Sequence, residues 1–212
     1  MKKIILFDLD GTLTDSGAGI MHGMEIVLSY YGLPVPDRQA LRVIVGPPLR
    51  GSFLRFGVKQ EDLDEAVAVY RKFYVAEGKY ENFVYPGIEN LLKHLSKEGC
   101  RLFVATSKPE KMAQEILEHF GLAHYFEKIC GAAEDRSRDT KTKVIQYLMN
   151  QIDKDMPIMM VGDTFYDVEG AAALGIPTIG VSWGYGEIQD MLTSGAVGIA
   201  EDAEELKNLL LA

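Results

Sequence analysis

The stretch Lys2-Lys3-Ile4-Ile5-Leu6-Phe7-Asp8-Leu9-Asp10-Gly11-Thr12 decides the fold. Its apolar run meets Asp8 too soon to complete the apolar core of a secretory leader. A short, continuously apolar segment that ends in polar and glycine residues reads as a strand covered on both faces, as in parallel sheets. Residues two apart on a strand face the same way, so Asp8 and Asp10 are expected to point together beyond its C-terminal end. In an open α/β sheet that is where ligands bind.

Outward from Lys3–Phe7, similar runs recur at Leu102–Ala105, Ile158–Val161 and Thr178–Val181. Helix-period segments lie between them: Leu91, Leu92 and Leu95 before Gly99, Met112, Ile116, Leu117 and Phe120 before Gly121, and Val144, Ile145, Leu148 and Ile152 after Lys141. The alternation predicts an α/β fold, a doubly wound parallel sheet with a Rossmann-like core. Residues 16–82 break it. They hold four helix-like stretches punctuated by Gly32, Pro34, Pro36, Gly46-Pro47-Pro48 and Gly57. The last, Glu61 to Glu77, carries Leu63, Val67, Tyr70 and Tyr74 on one stripe. A small α-helical domain over residues 16–82 is therefore expected, inserted after the first strand, with residues 1–15 and 83–212 forming a discontinuous core. The two chain crossings at its base suit a hinge.

With 212 residues and 47% hydrophobic composition, the chain has material for a substantial core, burying about 70% of its unfolded surface. The 22 Lys and Arg against 31 Asp and Glu, a net charge of -9 with no basic block, argue against a nucleic-acid partner, and none is expected. No apolar run approaches the length that spans a bilayer, so no membrane association is expected. Cys100 and Cys130 have no second Cys or His at metal spacing and read as reduced core thiols of a cytoplasmic protein, a monomer or homodimer.

Two carboxylates as close as Asp8 and Asp10 raise the pKa of one of them unless a cation sits between. Either outcome is useful: Asp8 held ionised by Mg²⁺ suits a nucleophile, and a protonated Asp10 suits a general acid. An ordinary solvated turn explains a lone pair of this kind equally well. The second core strand ends in Ala105-Thr106-Ser107-Lys108-Pro109, offering hydroxyls and backbone N–H groups to phosphate oxygens, or else a plain helix N-cap. Lys141 opens a helix, where its charge opposes the macrodipole unless an anion or a carboxylate cluster compensates it. Lys143 should face elsewhere. Asp163 and Asp167 can converge on one point as ligands of a hard divalent ion; helix capping would account for Asp163 but not for Asp167. His22, His94, His119 and His124 show no metal spacing. Trp183 borders either the site or the core edge, and Phe53, Phe56, Phe73 and Tyr74 read as a small core of the helical insert rather than a nucleobase platform.

Taken together, Asp8-Leu9-Asp10-Gly11-Thr12, the Ala105–Pro109 segment, Lys141 and Gly162-Asp163-Thr164-Phe165-Tyr166-Asp167 resemble the four ordered motifs of the haloacid dehalogenase-like hydrolase superfamily. The resemblance spans essentially the whole chain, including a helical cap after the first motif. It implies an aspartyl-phosphate on Asp8, with Asp10 as general acid and then base, its backbone carbonyl also touching the metal. It implies that Thr106 and Lys141 hold the transferring phosphoryl group, and that Asp8, Asp10, Asp163 and Asp167 arrange a Mg²⁺ ion. Gly11, Thr12, Ser107 and Lys108 complete the implied substrate site, and Arg50 either reaches from the cap as a bidentate clamp or is an ordinary surface arginine. Members that cleave carbon–halogen bonds lack an acid at the position of Asp10, so a phosphatase is expected. Ile44–Arg50, Tyr85-Pro86-Gly87 and Ser182–Gly186 resemble the phosphoglycolate phosphatase-like and bacterial 5'-nucleotidase-like branch. The expected substrate is thus a small phosphorylated metabolite, phosphoglycolate or a nucleoside 5'-monophosphate. A sugar phosphomutase of the same superfamily and a non-catalytic phospho-aspartate switch are the alternatives.

Overall fold

The computed structural model describes residues 2–135 and 137–212. Its strands are β1 (Ile4–Phe7), β2 (Thr14–Asp15), β3 (Phe83–Val84), β4 (Arg101–Pro109), β5 (Lys128–Ala132), β6 (Ile158–Gly162), β7 (Thr178–Val181) and β8 (Gly198–Ala200). The helices are α1 (Gly17–Tyr30), α2 (Arg38–Leu41), α3 (Leu49–Arg55), α4 (Leu63–Ala76), α5 (Ile88–Lys97), α6 (Glu110–His119), α7 (Lys141–Met149), α8 (Phe165–Ala172), α9 (Ile188–Thr193) and α10 (Ala203–Leu211). The chain divides into two compact units, Met1–Thr14 with Val84–Ala212, and Asp15–Phe83. These bounds lie one residue to each side of those read from the sequence.

In the larger unit a six-stranded sheet runs in the order β5-β4-β1-β6-β7-β8, its strands paired in parallel. All four residues of β1 are buried because both faces are covered. Ile5 and Phe7 pack with Leu91, Leu92 and Leu95 of α5, Ile116 and Leu117 of α6, and Leu206 and Leu210 of α10. Ile4 and Leu6 pack on the opposite face with Val144, Ile145 and Leu148 of α7 and Ala171 of α8. From β1 the order runs through β4 to β5 on one side and from β6 through β7 to β8 on the other, so the topology switches between β1 and β6. A crevice at the carboxyl ends of the strands beside such a switch is the general ligand position of this architecture. Asp8 follows β1 and Asp163 follows β6, one on each side of it.

Several elements differ from their sequence reading. The second core strand continues to Pro109 instead of ending at Ala105, with a register irregularity between those residues. Ile152 lies beyond the end of α7 at Met149. In α4 the buried positions are Leu63, Ala66, Tyr70 and Tyr74, with Ala66 where the stripe reading put Val67. Short strands β2 and β3 form a separate two-stranded sheet.

Within the helical unit, α1 meets α4 at Gly23, where a methyl group would lie 2.5 Å from a Tyr70 ring atom. Phe53 and Tyr74 are buried there, and Tyr70 stacks on Tyr74 at 5.2 Å between ring centroids. Of the aromatics read as the core of the insert, Phe53 and Tyr74 are buried, while Phe56 and Phe73 are half-buried and Tyr70 takes part instead. No described helix is long and apolar enough to cross a membrane. Cys100 and Cys130 are buried free thiols.

Candidate active site

Three carboxylates gather at the carboxyl edge of the sheet. Asp8, Asp163 and Asp167 are buried, and each offers an oxygen within 4.8 Å of the others. Lys141, the first residue of α7, is also buried. Its Nζ lies 2.7 Å from Asp8 Oδ1 and 2.7 Å from Asp167 Oδ1, and donates to the carbonyl oxygen of Ala105 at 3.1 Å. The unfavourable position of a cation at a helix N-terminus is thus offset by two anions and a carbonyl. Lys143 pairs with Asp139 at the surface.

The electrostatics follow from burial. Desolvation holds the Asp8 carboxyl up at about 6 from an ordinary 3.8; Lys141 and hydrogen bonding from Thr106 pull it down, while Asp167 pushes it further up. Burial raises Asp163 well above its usual value, reinforced by Asp167 and Asp8. For Lys141 burial acts downward, yet Asp167 and Asp8 outweigh it and the ammonium is held more firmly than usual. Three carboxylates against one ammonium leave two formal negative charges in a dry site. That excess of negative charge fits a divalent cation bound through oxygen.

Each acid is aimed by its neighbours. Asp163 Oδ1 accepts the Thr12 hydroxyl at 3.2 Å and Oδ2 accepts the Tyr185 N–H at 2.9 Å. Asp167 Oδ2 accepts both the N–H and the hydroxyl of Thr164, at 3.1 and 2.8 Å. It is therefore Asp167 that closes the N-terminus of α8, with Thr164 as N-cap, the reverse of the capping assignment read from the sequence. Glycines make room. A methyl group on Gly11 would lie 2.1 Å from Asp163 Oδ2, one on Gly184 2.4 Å from the same oxygen, and one on Gly162 2.2 Å from Asp167 Cγ. Gly11 also has φ +82°, a conformation that other residues rarely adopt.

Asp10 stands apart from this cluster. Its carboxylate takes Lys108 Nζ at 3.0 and 2.9 Å, so its side chain does not share the Asp8 position as strand alternation suggests. The chain turns immediately after β1, with Leu13 N–H and Thr14 N–H both donating to Leu9 O, and the period of two ends there. Thr106 is buried, and its oxygen accepts the Lys108 N–H at 3.2 Å; Ser107 is exposed. Neither caps α6, whose N-cap is Pro109. Thr12 is fully buried on Asp163, and the N–H groups of Gly11 and Thr12 go to Thr14 O and Leu9 O within the turn. Arg50 pairs with Asp64 inside the helical unit. Gly11, Thr12, Lys108 and Arg50, read as substrate contacts, all have internal partners.

Sequence reasoning passed over Thr164, the Tyr185 N–H and the work of Trp183, whose Nε1 donates to Thr12 O at 3.1 Å. The glycines of Gly184-Tyr185-Gly186 were the available signal, since a methyl on Gly186 would sit 2.1 Å from Asp163 O.

The fold is a doubly wound parallel α/β sheet with a buried carboxylate cluster beside its switch point. Residues 5–181 match the family described as haloacid dehalogenase-like hydrolase, and the chain belongs to that family. Its class is that of the phosphoric monoester hydrolases. Over 212 residues it is 42% identical to a Mycobacterium tuberculosis protein named tyrosine-protein kinase PtkA, covering 98% of this chain and 72% of that one. Over 208 residues it is 36% identical to a Pseudomonas aeruginosa protein named 5'-nucleotidase, covering 97% and 94%. A crystal structure of a predicted phosphatase from Clostridium acetobutylicum has a TM-score of 0.93 and 41% identity, over 100% of this chain and 99% of that chain.

Proposed function

We propose that the protein is a Mg²⁺-dependent phosphatase of small phosphate monoesters, phosphoglycolate or a nucleoside 5'-monophosphate, acting through an aspartyl-phosphate on Asp8. The observation that carries this reading is Lys141 Nζ at 2.7 Å from both Asp8 and Asp167 beside the switch point of the sheet. Phosphoryl transfer asks for positioning and neutralisation of spreading negative charge more than for covalent work. Asp8, Asp163 and Asp167 would hold the Mg²⁺, with the Asp10 backbone carbonyl, and when bound it supplies positive charge beside the transferring phosphoryl group. Lys141 keeps Asp8 ionised and faces the phosphate oxygens, joined by Thr106. Asp10 gives a proton to the leaving oxygen and later takes one from water. For that, its carboxylate must exchange Lys108 for the substrate. The buried free thiols agree with a reducing, cytoplasmic setting.

The test is release of inorganic phosphate from phosphoglycolate, nucleoside monophosphates and sugar phosphates, with and without Mg²⁺, compared as kcat/KM. Release should require Mg²⁺ and vanish in Asp8→Asn; turnover retained by that variant would end the nucleophile assignment.

The relative named tyrosine-protein kinase favours a second reading, in which a tyrosine hydroxyl instead of water accepts the phosphoryl group. Incubation with labelled ATP and a tyrosine peptide separates the two, since only phosphotransfer leaves label on the peptide.

A further inference from the structure

We infer that Glu110, Arg138 and Tyr147 form a brace that fixes the β4 bulge carrying Thr106 and Lys108 against the helix that begins with Lys141. This rests on the phosphatase reading only for its effect on turnover; the brace itself is a matter of geometry.

The register between β4 and β5 jumps from Ala105 opposite Cys130 to Pro109 opposite Ala132, so four steps along β4 answer two along β5. Thr106-Ser107-Lys108 therefore stand against Gly131 alone, two residues more than the ladder needs, and bulges of this kind re-aim side chains. Glu110 holds the far side of the bulge. Its Oε2 accepts the Gly131 N–H at 3.2 Å and an Arg138 Nη2–H at 3.1 Å. Gly131 has no room for a side chain, since a methyl group would lie 2.4 Å from Lys108 O and 2.6 Å from Glu110 Cα. The Arg138 guanidinium carbon lies 3.7 Å from the centre of the Tyr147 ring, a cation–π arrangement. Tyr147 belongs to α7, and the Ala133 N–H donates to Arg138 O at 3.2 Å to close the loop before it.

One carboxylate oxygen, on the residue that follows β4, therefore joins it to the penultimate residue of β5 and, through Arg138, to the helix of Lys141. The three brace residues act through others and are positioning residues. The arrangement is a poor device for stability. Side chains of Arg138 and Glu110 are 17% and 39% exposed, and Arg138 Nε is buried without a partner among the described residues. Its loss should appear in rate, because a displacement of about 1 Å at a reacting centre can cost roughly 10²-fold.

The experiment compares Arg138→Met, Tyr147→Leu and Tyr147→Phe with the wild type, by Mg²⁺-supported hydrolysis of p-nitrophenyl phosphate and by backbone amide NMR. Arg138→Met and Tyr147→Leu should lower kcat by roughly 10- to 100-fold with KM changed less than about threefold. Tyr147→Phe, which keeps the ring face, should behave as wild type. In the two damaging variants the amides of Thr106, Lys108 and Lys141 should shift together while those of Asp163 and Asp167 stay. A wild type that releases no phosphate would count against the phosphatase reading alone, and the amide shifts would still decide the brace. Undiminished kcat in Arg138→Met, or shifts confined to Glu110, Gly131 and their neighbours, would overturn it.

Discussion

Lys108 Nζ lies 3.0 and 2.9 Å from the two carboxylate oxygens of Asp10, and both side chains are largely withdrawn from solvent, at 4% and 14% exposure. Removing one partner strands the other. Lys108→Met should destabilise the fold by roughly 1–3 kcal/mol, below the range for fully buried pairs because solvent still reaches Asp10. Asp10→Asn in the Lys108→Met background should cost less than the sum of the single changes, with a coupling of about 0.5–3 kcal/mol in urea unfolding. Strict additivity would show that the pair contributes nothing.

The acid cluster should make stability depend on pH in a direction that Mg²⁺ reverses. Burial, with Asp167 adding to it, raises Asp8 from 3.8 to about 6 and raises Asp163 as well. A carboxyl held up in the folded state binds its proton more tightly there than in the unfolded chain. Its favourable contribution is complete below the unfolded value of 3.8 and is lost as pH rises through about 6. In a chelator the melting temperature should therefore fall between about pH 5 and about pH 7.5, and Asp8→Asn should flatten that fall. Millimolar Mg²⁺ competes with those protons, so its stabilisation should be small at the acid end and on the order of 5 °C at the alkaline end. An equal shift at both ends would mean that the ion binds elsewhere.

Adding one carbon beside Asp163 should weaken the site far more than it weakens the fold. In Gly184→Ala the new methyl would lie 2.3 Å from Asp163 Cβ and 2.4 Å from its Oδ2, so the carboxylate must move. Mg²⁺ affinity, read from the concentration that half-restores phosphate release, should drop by about 10- to 100-fold, as when an outer partner of a ligand is lost. Gly121→Ala is the control. Gly121 has φ +68° with no atom within 4 Å of an added methyl, so the change should cost about 1 kcal/mol of stability and leave the half-restoring concentration alone.

Much of this was legible because its signals are local. Ile4–Phe7 announced a strand covered on both faces, and the α5 leucines announced their helix by period alone. Asp8, Lys141, Asp163 and Asp167 could be named because each sits at or near a strand or helix end, and Thr106 because the apolar run of β4 stops just before it. What their side chains do depends on neighbours far away in sequence. The turn after β1 sends Asp10 to Lys108, 98 residues on. Thr12 serves Asp163, 151 residues on. The Thr106–Lys108 bulge was hidden for the same reason: it is defined by register against β5, and β4 on its own reads as ending at Ala105.

Not every glycine near a chemically interesting residue is there for space. Gly51 adjoins Arg50 inside α3, has no positive φ, and would meet no atom within 4 Å of an added methyl. Its N–H donates to Pro48 O at 3.0 Å, a bond that alanine keeps. Alanine should therefore only reduce the freedom of the unfolded chain and favour the helix, stabilising the protein by roughly 0.5–1 kcal/mol. Thermal unfolding should rise by about 2–4 °C per kcal/mol, with phosphate release from a small monoester unchanged. Activity lost together with a gain in stability would instead mean that a ligand must approach the backbone at residue 51, making α3 part of the substrate site.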